Sequence, residues 1–241
     1  MIEKYNTDCK VNVQKTNILT EQQIIDDILN FLETIKKGYK NRDKITLIIK
    51  SLYDYQQEAL RAAILEKKGK VILPTGTGKT RIQAALIAIN ILMNDKKFEM
   101  YVINAPRIML SYQLLREVYS FLVKFGLETR YMCVHSGGQT DIRELEEIRA
   151  DANKNLEDNV PYSDIANGTS TEIIKEMIQK ASSQKLPLIF FSTYNSCDRI
   201  EKSLIGAKKI EIVVNDECQY LVQERFFDIH KILKPNRCFF F

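Results

Sequence analysis

The sequence predicts an α/β fold: a mainly parallel central sheet flanked by helices, with a helical appendage at the N-terminus. Three observations predict it. Short apolar runs alternate with helical stretches from residue 71 onward, the pattern of crossover units around a parallel sheet. Runs such as Ile210-Glu-Ile-Val-Val214 and Pro187-Leu-Ile-Phe-Phe191 are nearly continuously apolar, as strands buried on both faces must be. A strand, a glycine-rich turn and a strongly helical stretch follow one another without a break across residues 71–93.

Residues 1–18 have weak periodicity. Thr20 then caps a helix whose stripe is Ile24, Ile25, Ile28, Leu29 and Leu32, with Gly38 ending it. A second helix is expected through Leu47, Ile48, Leu52, Ala59 and Ile64, followed by a turn at Lys67-Lys68-Gly69-Lys70 and a first strand at Val71–Leu73. Further strands are read at Met100–Asn104, Thr129–Val134, Leu186–Ser192, Ile210–Val214 and Arg237–Phe241. Residues 138–184 are polar and read as an insertion or long connection on the rim, with helix-like pieces at 141–150 and 171–182. The division expected is a helical extension over 1–50 and the main domain over 51–241.

Composition supports one folded domain and excludes several classes. The 45% hydrophobic and 27% charged residues place the chain among ordinary globular proteins, not disordered or fibrous ones. A net charge of +4 permits a polyanionic partner without demonstrating one. The five cysteines are odd in number and lack C-x-x-C spacing, which suggests neither a disulfide framework nor a zinc site and suits a reducing, cytoplasmic setting. No export signal is read at the N-terminus, and no run reaches the roughly 18 apolar residues of a membrane span.

The chemistry lies in two segments. In Leu73-Pro74-Thr75-Gly76-Thr77-Gly78-Lys79-Thr80, Gly76 and Gly78 let backbone N–H groups turn toward a polyphosphate at a helix N-terminus. Lys79 is then placed to contact the β- and γ-phosphates and Thr80 to ligate magnesium. Ile210-Glu-Ile-Val-Val-Asn-Asp216-Glu217-Cys218-Gln219-Tyr220 is an apolar strand ending in adjacent carboxylates. Open α/β sheets bind ligands at the carboxyl ends of their strands, so Asp216 and Glu217 are expected to face the phosphate loop. Asp216 would hold magnesium through water, and Glu217 would orient and deprotonate an attacking water. His135 stands without a second ligand at metal spacing and reads as structural.

Over about residues 50–241 these segments resemble, in order, the motifs of the first RecA-like lobe of superfamily 2 helicases. Leu52-Tyr-Asp-Tyr-Gln56-Gln57 resembles the segment whose Gln reads the adenine edge, with Gln56 the matching residue. Asn104-Ala-Pro106-Arg107 and Phe191-Ser192-Thr193-Tyr194-Asn195-Ser196 resemble the loops that grip nucleic-acid phosphates, contacts that position a strand without reading sequence. The style of the motifs is closest to the restriction-enzyme and bacterial-defence branch. Gln219 departs from the His or Asp usual at its position, which puts the coupling of hydrolysis to the next motif in question.

The resemblance implies ATP and magnesium as ligands, a nucleic acid as partner with DNA favoured over RNA, and movement on or remodelling of that polymer. It also implies a second RecA-like lobe, whose motifs this chain lacks, and hence weak hydrolysis by these residues alone. Two other readings remain open: a nucleotide-dependent switch without nucleic acid, and a catalytically poor regulatory lobe. The amphipathic stripe of the extension suits either packing on the lobe's edge or contact with a protein partner in a defence assembly.

Overall fold

The structure is a computed structural model that describes residues 19–95, 97–135, 165–204, 209–219 and 233–241. Residues 1–18, the helix-like stretch at 141–150 and most of the polar connection lie outside the described residues.

Helix α1 (Glu21–Ile35) opens on a reciprocal cap, in which the Gln23 N–H donates to Thr20 Oγ1 and the Thr20 N–H to Gln23 Oε1. The expected stripe is its buried face. The single helix expected next is two, α2 (Arg42–Lys50) and α3 (Asp54–Leu65). The break falls at Tyr53, whose backbone is extended (φ −71°, ψ 157°) and whose N–H donates to Gln56 Oε1 at 3.1 Å. The apolar spacing runs on across the bend because both helices bury residues in one core, so periodicity alone conceals it. Leu47, read as part of the stripe, is exposed.

Strand β1 is Lys68–Lys70, not Val71–Leu73. Its lysines face outward and Gly69 lies against the Phe239 ring, so an edge strand forms from residues with the composition of a turn. The Val71 N–H still donates to the Phe240 carbonyl, after which the chain leaves the sheet with Ile72 exposed. The other elements are α4 (Lys79–Met93), β2 (Met100–Ala105), α5 (Ile108–Lys124), β3 (Arg130–Val134), β4 (Ile165–Asn167), α6 (Thr171–Gln184), β5 (Leu188–Thr193), α7 (Cys197–Ser203), β6 (Ile210–Asn215) and β7 (Arg237–Phe240). Part of the expected rim connection is thus structural: β4 pairs with β3 at the edge of the sheet, and Ser170 caps α6 through the Ile173 N–H.

The strands form one sheet in the order β1-β7-β6-β2-β5-β3-β4, and every pairing is parallel. Alternate side chains divide between two cores, as period two requires. Tyr101, Ile103, Ile189 and Phe191 join α1 to α5 on one face, while Met100, Val102, Leu188 and Phe190 meet α6 and α7 on the other. A register shift beside Glu211 puts Ile210 and Val213 on the same side. Helix α4 is apolar almost all round because it lies between the sheet and the α2, α3 and α5 helices. Lys36 and Asn41 donate to the Met93 and Leu92 carbonyls at its C-terminus, so the N-terminal helices also close the end of α4.

Candidate nucleotide-binding site

One row of paired residues crosses the sheet near the carboxyl ends of its strands: Lys70, Phe240, Asn215, Asn104, Ser192 and Val134. The phosphate loop, the Asp216-Glu217 turn, the Pro106-Arg107 loop and the Tyr194-Asn195 turn all spring from just beyond that row. The Asn104 amide donates to Asn215 Oδ1 at 3.0 Å, a bond between two fully buried side chains that ties β2 to β6 at their ends.

The phosphate loop turns twice through left-handed backbone, at Gly76 (φ +82°) and Gly78 (φ +73°). Gly78 is also the residue before α4, and neither a side-chain cap nor an acidic residue occupies that helix's first turn. Its N–H groups therefore face outward with the positive end of the helix dipole, as an anion site needs. Pro74, Thr75 and Gly76 are exposed and Thr77 to Thr80 half-buried. Thr77 Oγ1 donates to the Pro74 carbonyl at 2.7 Å and steadies the turn.

Gln56 lies under this loop and is only 1% exposed. Its Nε2 donates to the Thr77 carbonyl at 2.8 Å and its Oε1 accepts from Tyr53, so in this structure the amide braces the loop. The Tyr55 hydroxyl, which the sequence reading passed over, donates to the same carbonyl at 3.1 Å.

Lys79 and Glu217 meet across the site with Nζ and Oε1 3.9 Å apart. Glu217 takes left-handed backbone (φ +51°), uncommon for a residue with a side chain, and its carboxylate accepts from Gln219 Nε2. Asp216 is 4% exposed, its N–H donates to the Asn104 carbonyl, and its Oδ1 accepts from Gln83 Nε2 at 2.7 Å. Burial raises the Asp216 carboxyl from its ordinary value, the Gln83 bond and Lys79 oppose this, and the Glu217 charge adds to it. Gln83 was not singled out from sequence, although one amide inside Ile82-Gln-Ala-Ala-Leu-Ile-Ala-Ile89 was the available signal.

The loops expected to hold a polymer are placed differently from one another. Arg107 is exposed at the start of α5, and Pro106 beside it is half-buried. Ser192, Thr193 and Tyr194 are buried, with Ser192 donating to the Val134 carbonyl, Thr193 to Ser196 Oγ and Tyr194 to the Asp216 carbonyl. Of that turn only Asn195 stands in solvent. His135 is buried edge-on against the Tyr112 ring.

A family model described as type III restriction enzyme, res subunit, matches residues 49–241, a span that holds every loop just described. The chain belongs to that family. As a res-subunit family member it carries the RecA-like first lobe of the superfamily 2 helicases, and the solved structures agree on the fold. One of them, a nuclease-deletion mutant of the type ISP restriction-modification enzyme LlaGI in complex with a DNA substrate mimic, superposes with a TM-score of 0.58 at 21% identity. That match covers 78% of this chain and 17% of the other. Among curated proteins, the DNA 3'-5' translocase XPB2 of Sulfurisphaera tokodaii is 44% identical over 48 residues, which are 20% of this chain and 10% of that protein. The chain therefore spans a small part of each relative's length. Among the described residues, no helix is long and apolar enough to cross a membrane.

Proposed function

We propose that this chain is the ATP-binding lobe of a nucleic-acid-dependent ATPase that couples hydrolysis to movement along DNA. The observation that carries the reading is the convergence of an uncapped, glycine-turned helix N-terminus with Lys79, Asp216 and Glu217 at one end of the sheet. Gly76, Thr77, Gly78 and the first N–H groups of α4 cradle the phosphates, and Lys79 leaves Glu217 for the β- and γ-phosphates. Glu217, released from Lys79, takes the proton of the attacking water. Gln56 exchanges its bond to Thr77 for the adenine edge, which makes base recognition and loop position one event.

The donor set suits magnesium. The Thr80 hydroxyl and the Asp216 carboxylate are hard oxygen ligands, and a site with so few protein ligands leaves positions for phosphate oxygens and water. Among the described residues no cluster of three or more His, Cys, Asp or Glu side chains offers a rival all-protein site. Bound there, the ion supplies positive charge against the transferring phosphoryl group.

DNA is favoured over RNA because both similar proteins are described with DNA. A second RecA-like lobe completes the site, and a defence assembly is the setting its family supports. Burial of Ser192, Thr193 and Tyr194 favours a second reading, a nucleotide-dependent switch without nucleic acid. ATPase rates with and without DNA separate the two. The site itself is tested in the full-length protein by Lys79→Ala, expected to lose nucleotide binding, and by Glu217→Gln, expected to bind ATP and stop turning over. Normal hydrolysis by the Glu217 variant would show the assignment to be wrong.

A further inference from the structure

Every buried residue of α4 is apolar except Gln83, which is fully buried. A polar side chain there is costly unless its groups are matched. Gln83 follows Lys79 by four residues and Thr80 by three, so it shares their face, and helical side chains lean toward the N-terminus. Its amide consequently lies beneath the first turn of the helix that carries the phosphate loop.

One half of that amide is accounted for, since Nε2 donates to Asp216 Oδ1 at 2.7 Å. The orientation follows from chemistry, because an ionised carboxylate only accepts and the nitrogen must face it. The other half is not. Gln83 Oε1 is shut off from solvent and accepts no hydrogen bond from any described residue. A buried acceptor without a donor is destabilising, and at a ligand site it is explained by a donor that arrives with the ligand. With Asp216 bonded to the same amide and Thr80 one turn before it on α4, the donor that a ligand would bring here is a water held by a divalent cation.

We propose that Gln83 is a positioning residue of the magnesium site: Nε2 fixes the Asp216 carboxylate, and Oε1 accepts from a cation-bound water. This rests on the reading that Thr80 and Asp216 hold the magnesium of a bound nucleotide. Gln83 touches neither the phosphates nor the attacking water, and its effect passes through Asp216 and the ion's water shell. Groups in such outer positions orient the ligands themselves.

The test is the gain in affinity for a fluorescent ADP on going from EDTA to excess magnesium, measured in the full-length protein. Wild type, Gln83→Met, Asp216→Asn and the double variant are compared, with thermal melting to follow the fold. The magnesium-dependent gain should fall about tenfold or more in Gln83→Met, and the double variant should be no worse than Asp216→Asn. A merely structural role would lower affinity equally with and without magnesium. If Gln83→Met melts below the assay temperature, Gln83→Asn, whose amide falls one methylene short of Asp216, carries the same comparison. A wild-type gain that Gln83→Met retains would overturn the role of Gln83 and leave the metal site standing. A wild type indifferent to magnesium, or an Asp216→Asn variant that keeps the gain, would overturn both.

Discussion

Gly78 carries two constraints at once, and they can be separated. Its φ of +73° is left-handed, which costs an L-residue about 1–2 kcal/mol. A Cβ there would also stand 2.6 Å from Gln56 Nε2, closer than real contacts allow. Gly76 has the first constraint without the second, since its added Cβ would meet nothing within 4 Å. Gly78→Ala should therefore lower the melting temperature by roughly 2–8 °C and weaken ATP binding more than Gly76→Ala does. Because Gln56 also braces the loop, the steric part is read from the difference between the two glycine variants, each with Gln56 in place. Paired melting and nucleotide-titration curves check this, and equal effects of the two glycine variants would sink it. The left-handed turns at Gly76 and Gly78 and the approach of Lys79 to Glu217 were legible because a turn of this kind depends on backbone freedom and charges that few residues supply. Gln83 and the brace from Tyr55 were not legible, since each acts through a partner distant in sequence.

Between elements, the Tyr194 hydroxyl donates to the Asp216 carbonyl and so joins the turn after β5 to the turn after β6. Burial pushes the Tyr194 phenol far above its usual range, so it remains a neutral donor at any ordinary pH. Tyr194 is expected to contact nucleic acid because Phe191-Ser192-Thr193-Tyr194-Asn195-Ser196 resembles a loop that grips phosphates in superfamily 2 helicases. The burial of Tyr194 instead points inward, to a link between the exposed Asn195 and the carboxylates. Tyr194→Phe should leave ATP binding intact and reduce DNA stimulation of turnover about fivefold, the equivalent of one ordinary hydrogen bond of about 1 kcal/mol. Stimulated and unstimulated rates in the full-length protein measure it, and an unchanged ratio would remove the link. The central strands were readable because they are buried on both faces. Edge strands β1 and β4 were missed because pairing on one side alone lets lysine, glycine and asparagine form them.

For the molecule as a whole, periodicity gave the alternation of strands and helices but not the order of the strands, which is set by how crossovers fold back and not by any local pattern. That order matters because it puts Ala105 opposite Thr193 and Asn104 opposite Asn215, so the loops of β2, β5 and β6 open side by side. Exposed Arg107 and Asn195 thus share one edge with the proposed nucleotide site, and on that reading Arg107 meets the phosphates of the polymer. Binding through such an edge is binding to phosphates, and two consequences follow from counterion release. Affinity should be tolerant of sequence, and its logarithm should fall linearly with the logarithm of salt concentration. Arg107→Ala should weaken binding to every duplex alike and flatten that slope by about one counterion. Titrating labelled duplexes of unrelated sequence across a salt series decides the matter. A slope unchanged by Arg107→Ala would place the polymer elsewhere, and a loss confined to one sequence would mean that Arg107 reads a base.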